Sequence, residues 1–437
     1  MRVRAFEGNS GDSVLLTSTS GKNILVDGGL VKRQFGTVLS YQFNVAPELA
    51  KMRDQGERLD LICVSHVDQD HIGGILAMLN DEFDWRVHDH QVAQNLNPAE
   101  PEGLRAPEID GIWHNAFQEQ VGQNRGDLEV ALLSAASNAL ASGGGPLSHG
   151  RDLYSQLANS LKEAAQVSRR IGAKQLDIPL NEEFGGKLVR RHSRSVPIEL
   201  GDLTLTVLGP TTERLTELRE KWNKWLTSSD TRHQIRDVRR DAERDEQLLL
   251  REGVRALLGL SGLGPEVGDR DDVTVQNVSS IVMIVEEDGK RVLFTGDARD
   301  DHIHEDLMAT GFTDGDDHVH VDLLKVQHHG SENNFSLGFA QKVTADHYLF
   351  CGNGGHHNPD RRVVRELLDA RVGPASIRTP HVDSNRPFKL WFTSDGSTFR
   401  ADREHMQKVK KLVEDKIEGF PHASAHFSKE AFFDIHL

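Results

Sequence analysis

The stretch CVSHVDQDHIGGI, from Cys63 to Ile75, places four potential metal ligands within six residues. These ligands are His66, Asp68, Asp70 and His71. An apolar run, LDLICVS (59–65), precedes them and predicts a buried strand, while IGGILAMLN (72–80) predicts a helix. Side chains on one tight turn can converge, and four such groups left unpaired in the interior would cost several kcal/mol. The pattern H-x-D-x-D-H therefore predicts that a metal site begins here.

The composition is that of an ordinary globular protein with an acidic surface. The chain has 437 residues and a net charge of −16, so affinity for nucleic acid cannot be a property of its whole surface. Its two cysteines, Cys63 and Cys351, form no disulfide framework and indicate a reducing compartment. No segment resembles a signal peptide or a membrane span, so we expect a cytoplasmic protein without membrane association.

Strand-rich segments flank two polar, helical segments. The pattern predicts one α/β domain over residues 1–400, interrupted by helical insertions at about 120–180 and 211–270. Residues 401–437 contain a lysine-rich helical pattern, and we expect them to form a C-terminal helical tail that packs on the domain.

Several other predicted strands end in a His or Asp residue. They are Asp27 in VDGG, Asp297 in FTGD, His329 in KVQHHGSE and His357 in GGHHNPD. Loops at strand ends are where functional sites are built, and a second metal ion would need donors beyond the first loop. Two metal ions suit hydrolysis, because they activate water and hold the attacking and leaving oxygens. In the last doublet, the sequence leaves open whether His356 or His357 faces the site.

The loop SHVDQDHIGG (65–74) resembles the signature loop of the metallo-β-lactamase fold superfamily. Together with GNSGDSVLL, NVSSIVMIV and DLLKVQHHGSE, it resembles the hydrolase domain of ComEC-like DNA-uptake proteins and their free-standing relatives. The resembling blocks cover about residues 1–80 and 197–370, without the helical insertions. The resemblance implies an αββα sandwich with a binuclear metal centre at one edge of its two sheets.

The resemblance also implies the metal ligands. His66 and Asp68 would bind one divalent ion, Asp70 and His71 would bind the other, and Asp297 would bridge them. His357 would be the last histidine ligand.

The remaining implied roles are catalytic or supporting. Asp70 would orient the attacking water, and Asp27 would brace the ligand loop. His329 would lie beside the scissile group as an acid or phosphate contact, with Lys325 close to it.

Two departures from the superfamily pattern affect the metal. The superfamily commonly has histidine at the place of Asp68, and an oxygen donor there makes Mn²⁺ as plausible as Zn²⁺. The superfamily's middle histidine ligand has one candidate here, His114 in GIWHNAF.

Two enzymatic functions fit these residues. The first is a metal-dependent phosphodiesterase, specifically a nuclease acting on DNA, for which the basic run KLVRRHSRS (187–195) would supply local positive charge. The net charge of −16 and the 6% aromatic content count against it. The alternative is a hydrolase of the same fold acting on a small molecule such as a lactone, a thioester or a cyclic nucleotide.

The charged insertion at 211–262 suggests a further possibility, which is regulation. It contains Trp222, Trp225 and many arginines, and could be an autoinhibitory lid, a partner-binding segment or the target of a trypsin-like protease. Free-standing ComEC-like hydrolases resemble effectors of bacterial antiviral defence, in which a latent nuclease is released on infection. A surface helical hairpin that only extends the fold is the simpler alternative.

Overall fold

The computed structural model describes residues 1–30, 40–115, 163–164, 166–168, 170–173, 175–191, 196–216, 280–397 and 401–437. Within the predicted insertions, residues 163–164, 166–168, 170–171 and 212–216 are helical. The predictions for the rest of both insertions lie outside the described residues.

The first sheet has six strands, with the order β16-β1-β2-β3-β5-β7. They are β1 (Arg2–Phe6), β2 (Val14–Thr17), β3 (Asn23–Val26), β5 (Leu61–Val64), β7 (Ile112–His114) and β16 (Phe432–His436), while β4 (Arg58–Leu59) pairs separately with β6 (Glu108–Ile109). Strands β3, β5 and β7 are parallel, so their carboxyl ends meet at one edge. Asp27 and His66 follow β3 and β5 at that edge.

The second sheet has eight strands, which run in the order β15-β14-β13-β12-β11-β10-β9-β8. They are β8 (Ile198–Leu200), β9 (Leu203–Gly209), β10 (Val282–Glu287), β11 (Lys290–Phe294), β12 (Val319–Lys325), β13 (Val343–Phe350), β14 (Phe388–Phe392) and β15 (Ala423–Phe427). Strands β11 to β15 are parallel. Asp297 follows β11, and His329 follows β12.

Six described α-helices cover the sheets. They are α1 (Ala46–Asp54), α2 (Gln69–Ala93), α3 (Asp300–Ala309), α4 (Leu337–Lys342), α5 (Arg361–Val372) and α6 (Arg403–Ile417), and a π-helical turn (Tyr41–Val45) leads into α1. A Cβ atom at Gly74 would overlap the carbonyl oxygen of Gly28, so glycine lets the start of α2 lie against the turn after β3. Of the helices in the described residues, none is long and apolar enough to cross a membrane.

Alternating side chains build a four-layer core. Leu61 and Cys63 of β5 point into the core between the two sheets, whereas Ile62 and Val64 face α1 and α2. On the far side, β12 and β13 pack against α3 to α6 through a third apolar core. The layers are therefore helices, sheet, sheet and helices, which confirms the predicted αββα sandwich.

The C-terminal segment differs from the expected helical tail. Only Arg403–Ile417 is helical, and the residues after it form β15 and β16. β15 extends the second sheet beside β14, and β16 extends the first sheet beside β1. Half-buried side chains along both strands weaken the periodicity that identifies a strand in a sequence, so AFFDIHL does not stand out as one.

Candidate metal centre

Three buried histidines surround the carboxylate of Asp297. The Nε2 atoms of His66 and His71 lie 3.6 and 3.4 Å from its two oxygens, and that of His329 lies 3.9 Å away. None of these three nitrogens has a hydrogen-bond partner in the part of the chain that the structure describes. Buried polar atoms without partners are costly, so their convergence on one carboxylate is the arrangement expected of a metal site.

Asp68 and Asp70 lie on the solvent-exposed side of the cluster formed by the three histidines and Asp297. Asp68 Oδ2 lies 3.5 Å from His66 Nε2, and Asp70 Oδ2 lies 3.2 Å from His329 Nε2. Their side chains are 23% and 29% exposed, whereas Asp297 is buried. These two carboxylates are therefore the members of the group that a substrate can approach.

The ligand atoms fall into two overlapping sets. His66, His71 and Asp297 form one, and Asp12, His71 and His329 form the other, with the atoms of each set within 4.8 Å of one another. Nitrogen and carboxylate donors such as those of the first set suit Zn²⁺ or Mn²⁺, whereas Asp12 of the second set lies against the Nδ1 atom of His329 and pairs with Lys325.

The Nδ1 atoms of the histidines are held from behind. Asp27 accepts a 2.9 Å hydrogen bond from His71 Nδ1, and Asp12 accepts one of 2.9 Å from His329 Nδ1. Asp27 also accepts hydrogen bonds from the amide and hydroxyl groups of Ser65, which fixes the start of the ligand loop. Because a carboxylate only accepts, these two Nδ1 atoms donate, and in the neutral ring the lone pair of Nε2 then faces the centre, where a metal ion could take it.

The buried carboxylates create a strong demand for positive charge. Burial alone would lower the pKa of His329, but the carboxylates of Asp12 and Asp297 outweigh it and raise that pKa to about 10. Burial would raise the pKa of Asp297, but His71, His328 and His329 hold it well below its usual range. A bound cation would meet the same demand.

The structure corrects two assignments among the histidine doublets. His357 has a side chain that is 75% exposed, and its nearest charged partner is Asp402 at 3.9 Å, so it lies outside both ligand sets. His356 is exposed as well. The first doublet lies at the candidate centre instead: His328 Nε2 is 3.6 Å from Asp297, and His329 is a member of one ligand set.

Backbone conformation explains why both rings of the first doublet, His328 and His329, lie near Asp297. His328 and His329 have φ values of 46° and 54°, so two consecutive left-handed residues turn the chain sharply and bring both rings to Asp297. The sequence does not single out His328, because nothing in the letters HHGS distinguishes the two rings.

Lys325 also lies elsewhere than expected. Its ammonium group is buried, forms an ion pair with Asp12 and donates a 3.1 Å hydrogen bond to the carbonyl of Gly296. It therefore lies behind the carboxylates, where a substrate cannot touch it. Asp12 itself is not evident from the sequence, because GNSGD indicates only a turn.

His114 lies at the end of β7, outside both ligand sets. Its backbone exchanges hydrogen bonds with the side-chain amide of Asn181, and burial lowers the pKa of its ring to about 4. The described residues thus give no support to His114 as a middle ligand.

A model of the metallo-beta-lactamase superfamily matches residues 7–126. The matched segment contains Asp12, Asp27 and the loop from His66 to His71, which supports this superfamily as the origin of the ligand loop. The ComEC-like branch has no such support. No curated protein matches the chain.

Two solved structures resemble the chain at a distance. CmlA, a diiron β-hydroxylase from Streptomyces venezuelae, aligns with all of this chain at 11% identity and a TM-score of 0.35. The chain spans 54% of the length of CmlA. Zn²⁺-bound PqqB from Methylobacterium extorquens aligns over 100% of both chains, at 9% identity and a TM-score of 0.34. At these values neither structure informs the function.

Proposed function

We propose that the protein is a binuclear metal-dependent hydrolase that cleaves phosphodiester bonds, with DNA as its substrate. One observation supports the hydrolase function: the Nε2 atoms of His66, His71 and His329 converge on Asp297. These atoms have no hydrogen-bond partner among the described residues. Two divalent ions bound there would supply Lewis acidity and a nucleophilic water near neutral pH.

The ligands would divide between the two ions by proximity. His66, Asp68 and His328 would hold one ion, and Asp70, His71 and His329 the other. Asp297 faces His66 with one carboxylate oxygen and His71 with the other, so it would be shared by the two ions.

Asp70 would also orient the attacking water by accepting a hydrogen bond from it. Burial would raise the pKa of Asp70, but His71 and His329 hold it below its usual range, so the carboxylate is ionised at neutral pH. Its exposed fraction of 29% leaves room for a water at Oδ. Asp12 and Asp27 would hold the rings of His329 and His71 in place without contacting the substrate.

DNA is favoured by basic side chains beside the centre. Arg361, Arg362 and Arg365 are exposed on α5, which begins next to the loop that carries His329. The basic run at 187–195 contributes less than expected, because Arg191 forms an ion pair with the buried Asp306. Residues 192–195 lie outside the described residues.

A small-molecule hydrolase is the second candidate. The net charge of −16 favours a small substrate over a polyanion, and the same metal centre would serve. The test is cleavage of labelled single- and double-stranded DNA with Mn²⁺ or Zn²⁺, beside lactone, thioester and cyclic nucleotide substrates. Metal-dependent DNA cleavage that Asp70→Ala abolishes would support the nuclease. Turnover of only a small substrate would support the second candidate.

A further inference from the structure

A basic depression lies beside the metal centre, between the start of α5 and the first turns of α6. Its volume is about 420 Å³. Its basic lining consists of Arg361, Arg362, Arg365, Lys408, His357 and His405. We propose that it is a subsite for the DNA backbone, binding a phosphate next to the one that is cleaved. This inference rests on the proposed function and adds to it the direction in which a DNA strand would leave the metal centre.

The charge of the depression is opposite to that of the chain. Four permanently cationic side chains face two carboxylates, Glu332 and Asp360, within a protein of net charge −16. A local positive patch of this kind is what a polyanion needs when the rest of the surface repels it.

Two of the arginines, Arg361 and Arg365, are exposed and stand four residues apart on one face of α5. Like charges at this spacing repel each other along a helix, and a bound anion would relieve that repulsion. Arg362 and Lys408 each pair with a glutamate one turn away, but such exposed pairs are weak and leave both cations available.

The loop that carries His329 is fastened to the start of α5. The amide of Asp360 donates a 2.9 Å hydrogen bond to the carbonyl of Gly330, and the carboxylate of Asp360 accepts one of 2.8 Å from the amide of Glu332. The ring of His405 on α6 lies 2.9 Å from the carbonyl of Pro359. Hydrogen bonds thus connect the walls of the depression to the loop that carries His329.

The spacing suits neighbouring phosphates of one strand. One residue, one hydrogen bond and one further residue connect His329 to Arg361. This backbone path limits the distance between their Cα atoms to roughly 13 Å, because consecutive Cα atoms are about 3.8 Å apart and those of hydrogen-bonded residues about 5.5 Å apart. Phosphates follow one another at about 3.4 Å of axial rise in a duplex strand, and further apart in an extended one. A strand whose scissile phosphate lies at the centre would therefore place a phosphate one to three nucleotides away over α5.

The lining also predicts the kind of recognition. It contains cations and imidazoles but, among the described residues, no Trp, Tyr or Phe side chain on which a base could stack. Arginines that contact phosphates position a strand without reading its sequence. We expect the subsite to bind DNA irrespective of sequence and with a strong dependence on salt.

The test compares two double variants of the full-length protein. Arg361→Ala/Arg365→Ala removes two charges from the depression, and Lys290→Ala/Arg291→Ala removes two from the start of β11, at the opposite end of that strand from Asp297. Each is combined with Asp70→Ala to prevent cleavage. Fluorescence anisotropy of a labelled 20-nucleotide DNA then gives Kd at several salt concentrations, and thermal unfolding checks the fold.

The depression variant should bind at least tenfold more weakly than the matched control. The slope of log Kd against log salt should fall by about 0.7–0.9 for each phosphate that the variant no longer neutralises. In the Asp70-intact proteins, its loss of cleavage should be greater for the oligonucleotide than for bis(p-nitrophenyl) phosphate, a single diester. Equal Kd values and slopes for the two double variants, with DNA cleavage by the wild type, would overturn the subsite alone. A wild type that neither binds nor cleaves DNA would overturn the proposed function as well.

Discussion

Asp70 Oδ2 and His329 Nε2 lie 3.2 Å apart, although one belongs to the first sheet's side of the sandwich and the other to the second. Asp70 is in the first turn of α2, directly after β5, and His329 is in the loop after β12. The candidate centre therefore closes only when the two sheets pack face to face, which makes the site a product of the tertiary fold.

The first prediction concerns turnover. Asp70→Ala should lower kcat at least a hundredfold, because it removes both a ligand oxygen and the exposed carboxylate that would orient the attacking water. Asp84→Ala, an exposed aspartate on the same helix, is the matched control and should keep full activity. Steady-state kinetics with metal supplied would decide, and full activity of Asp70→Ala would refute the proposed role.

The second prediction separates the two histidine doublets. His329→Ala should bind fewer metal ions than the wild type, because it removes an Nε2 atom from the centre. His357→Ala should retain the wild-type metal content, because that side chain is 75% exposed and lies outside both ligand sets. Metal analysis after gel filtration measures both. Loss of metal from His357→Ala alone would restore the ligand expected from the sequence.

These doublets show what the sequence could and could not predict. The cluster from His66 to His71 is contiguous and follows an apolar strand, so local pattern is enough to find it, whereas the αββα fold is predicted from the resemblance of this loop to the metallo-β-lactamase superfamily. The choice between His329 and His357 depends on left-handed backbone at both doublets, which sequence alone does not reveal. Asp12 escapes prediction because its partners, Lys325 and His329, are distant in sequence and meet it only in the folded protein.

The third prediction tests whether Lys325 is structural. Lys325→Met should destabilise the fold by about 3 kcal/mol, because it leaves the buried carboxylate of Asp12 without its main cation. Asp12→Asn together with Lys325→Met should cost clearly less than the sum of the two single variants. Urea unfolding of the metal-free proteins gives the double-mutant cycle. Additive costs would show that the two side chains do not depend on each other.

The fourth prediction concerns pH and stability at Asp81, away from the centre. Burial, and then the charge of Asp84, raises the pKa of Asp81 to about 7. Ionisation is then harder in the folded than in the unfolded chain, so this residue costs stability as the pH rises from about 4 to 7. Asp81→Asn cannot ionise and should be more stable than the wild type by about 1–2 kcal/mol at pH 8, after allowance for partial exposure.

The same substitution should change little at pH 4, where the wild-type carboxyl is largely protonated in the folded protein. Asp84→Asn is the comparison variant and should give a smaller gain in stability at pH 8. It removes only the charge of Asp84, and the burial that raises the pKa of Asp81 remains. Unfolding in urea at the two pH values measures both effects. An equal gain for Asp81→Asn at both would show that ionisation is not responsible.

The fifth prediction concerns the charged insertion at 211–262, which lies outside the described residues after residue 216. The first described residues after the insertion, Ser280 and Ile281, contact the candidate centre. Ser280 Oγ accepts a 3.1 Å hydrogen bond from the amide of Asp297, and the amide of Ile281 donates one to the carbonyl of Ser65. The described residues that follow the insertion are therefore in contact with the ligand loop and with Asp297. Strands β9 and β10, on either side of it, are paired, so a nicked chain should remain folded.

If the insertion restrains a latent enzyme, limited trypsin cleavage within it should raise the metal-dependent activity. Replacing Arg236, Arg239 and Arg240 by glutamine removes cleavage sites and should reduce that activation, without altering the activity of the intact protein. Mass spectrometry of the fragments locates the cut, and gel filtration shows whether they stay together. A clean nick with unchanged or lower activity would count against regulation, and the insertion would then be an extension of the fold with no inhibitory contact to release.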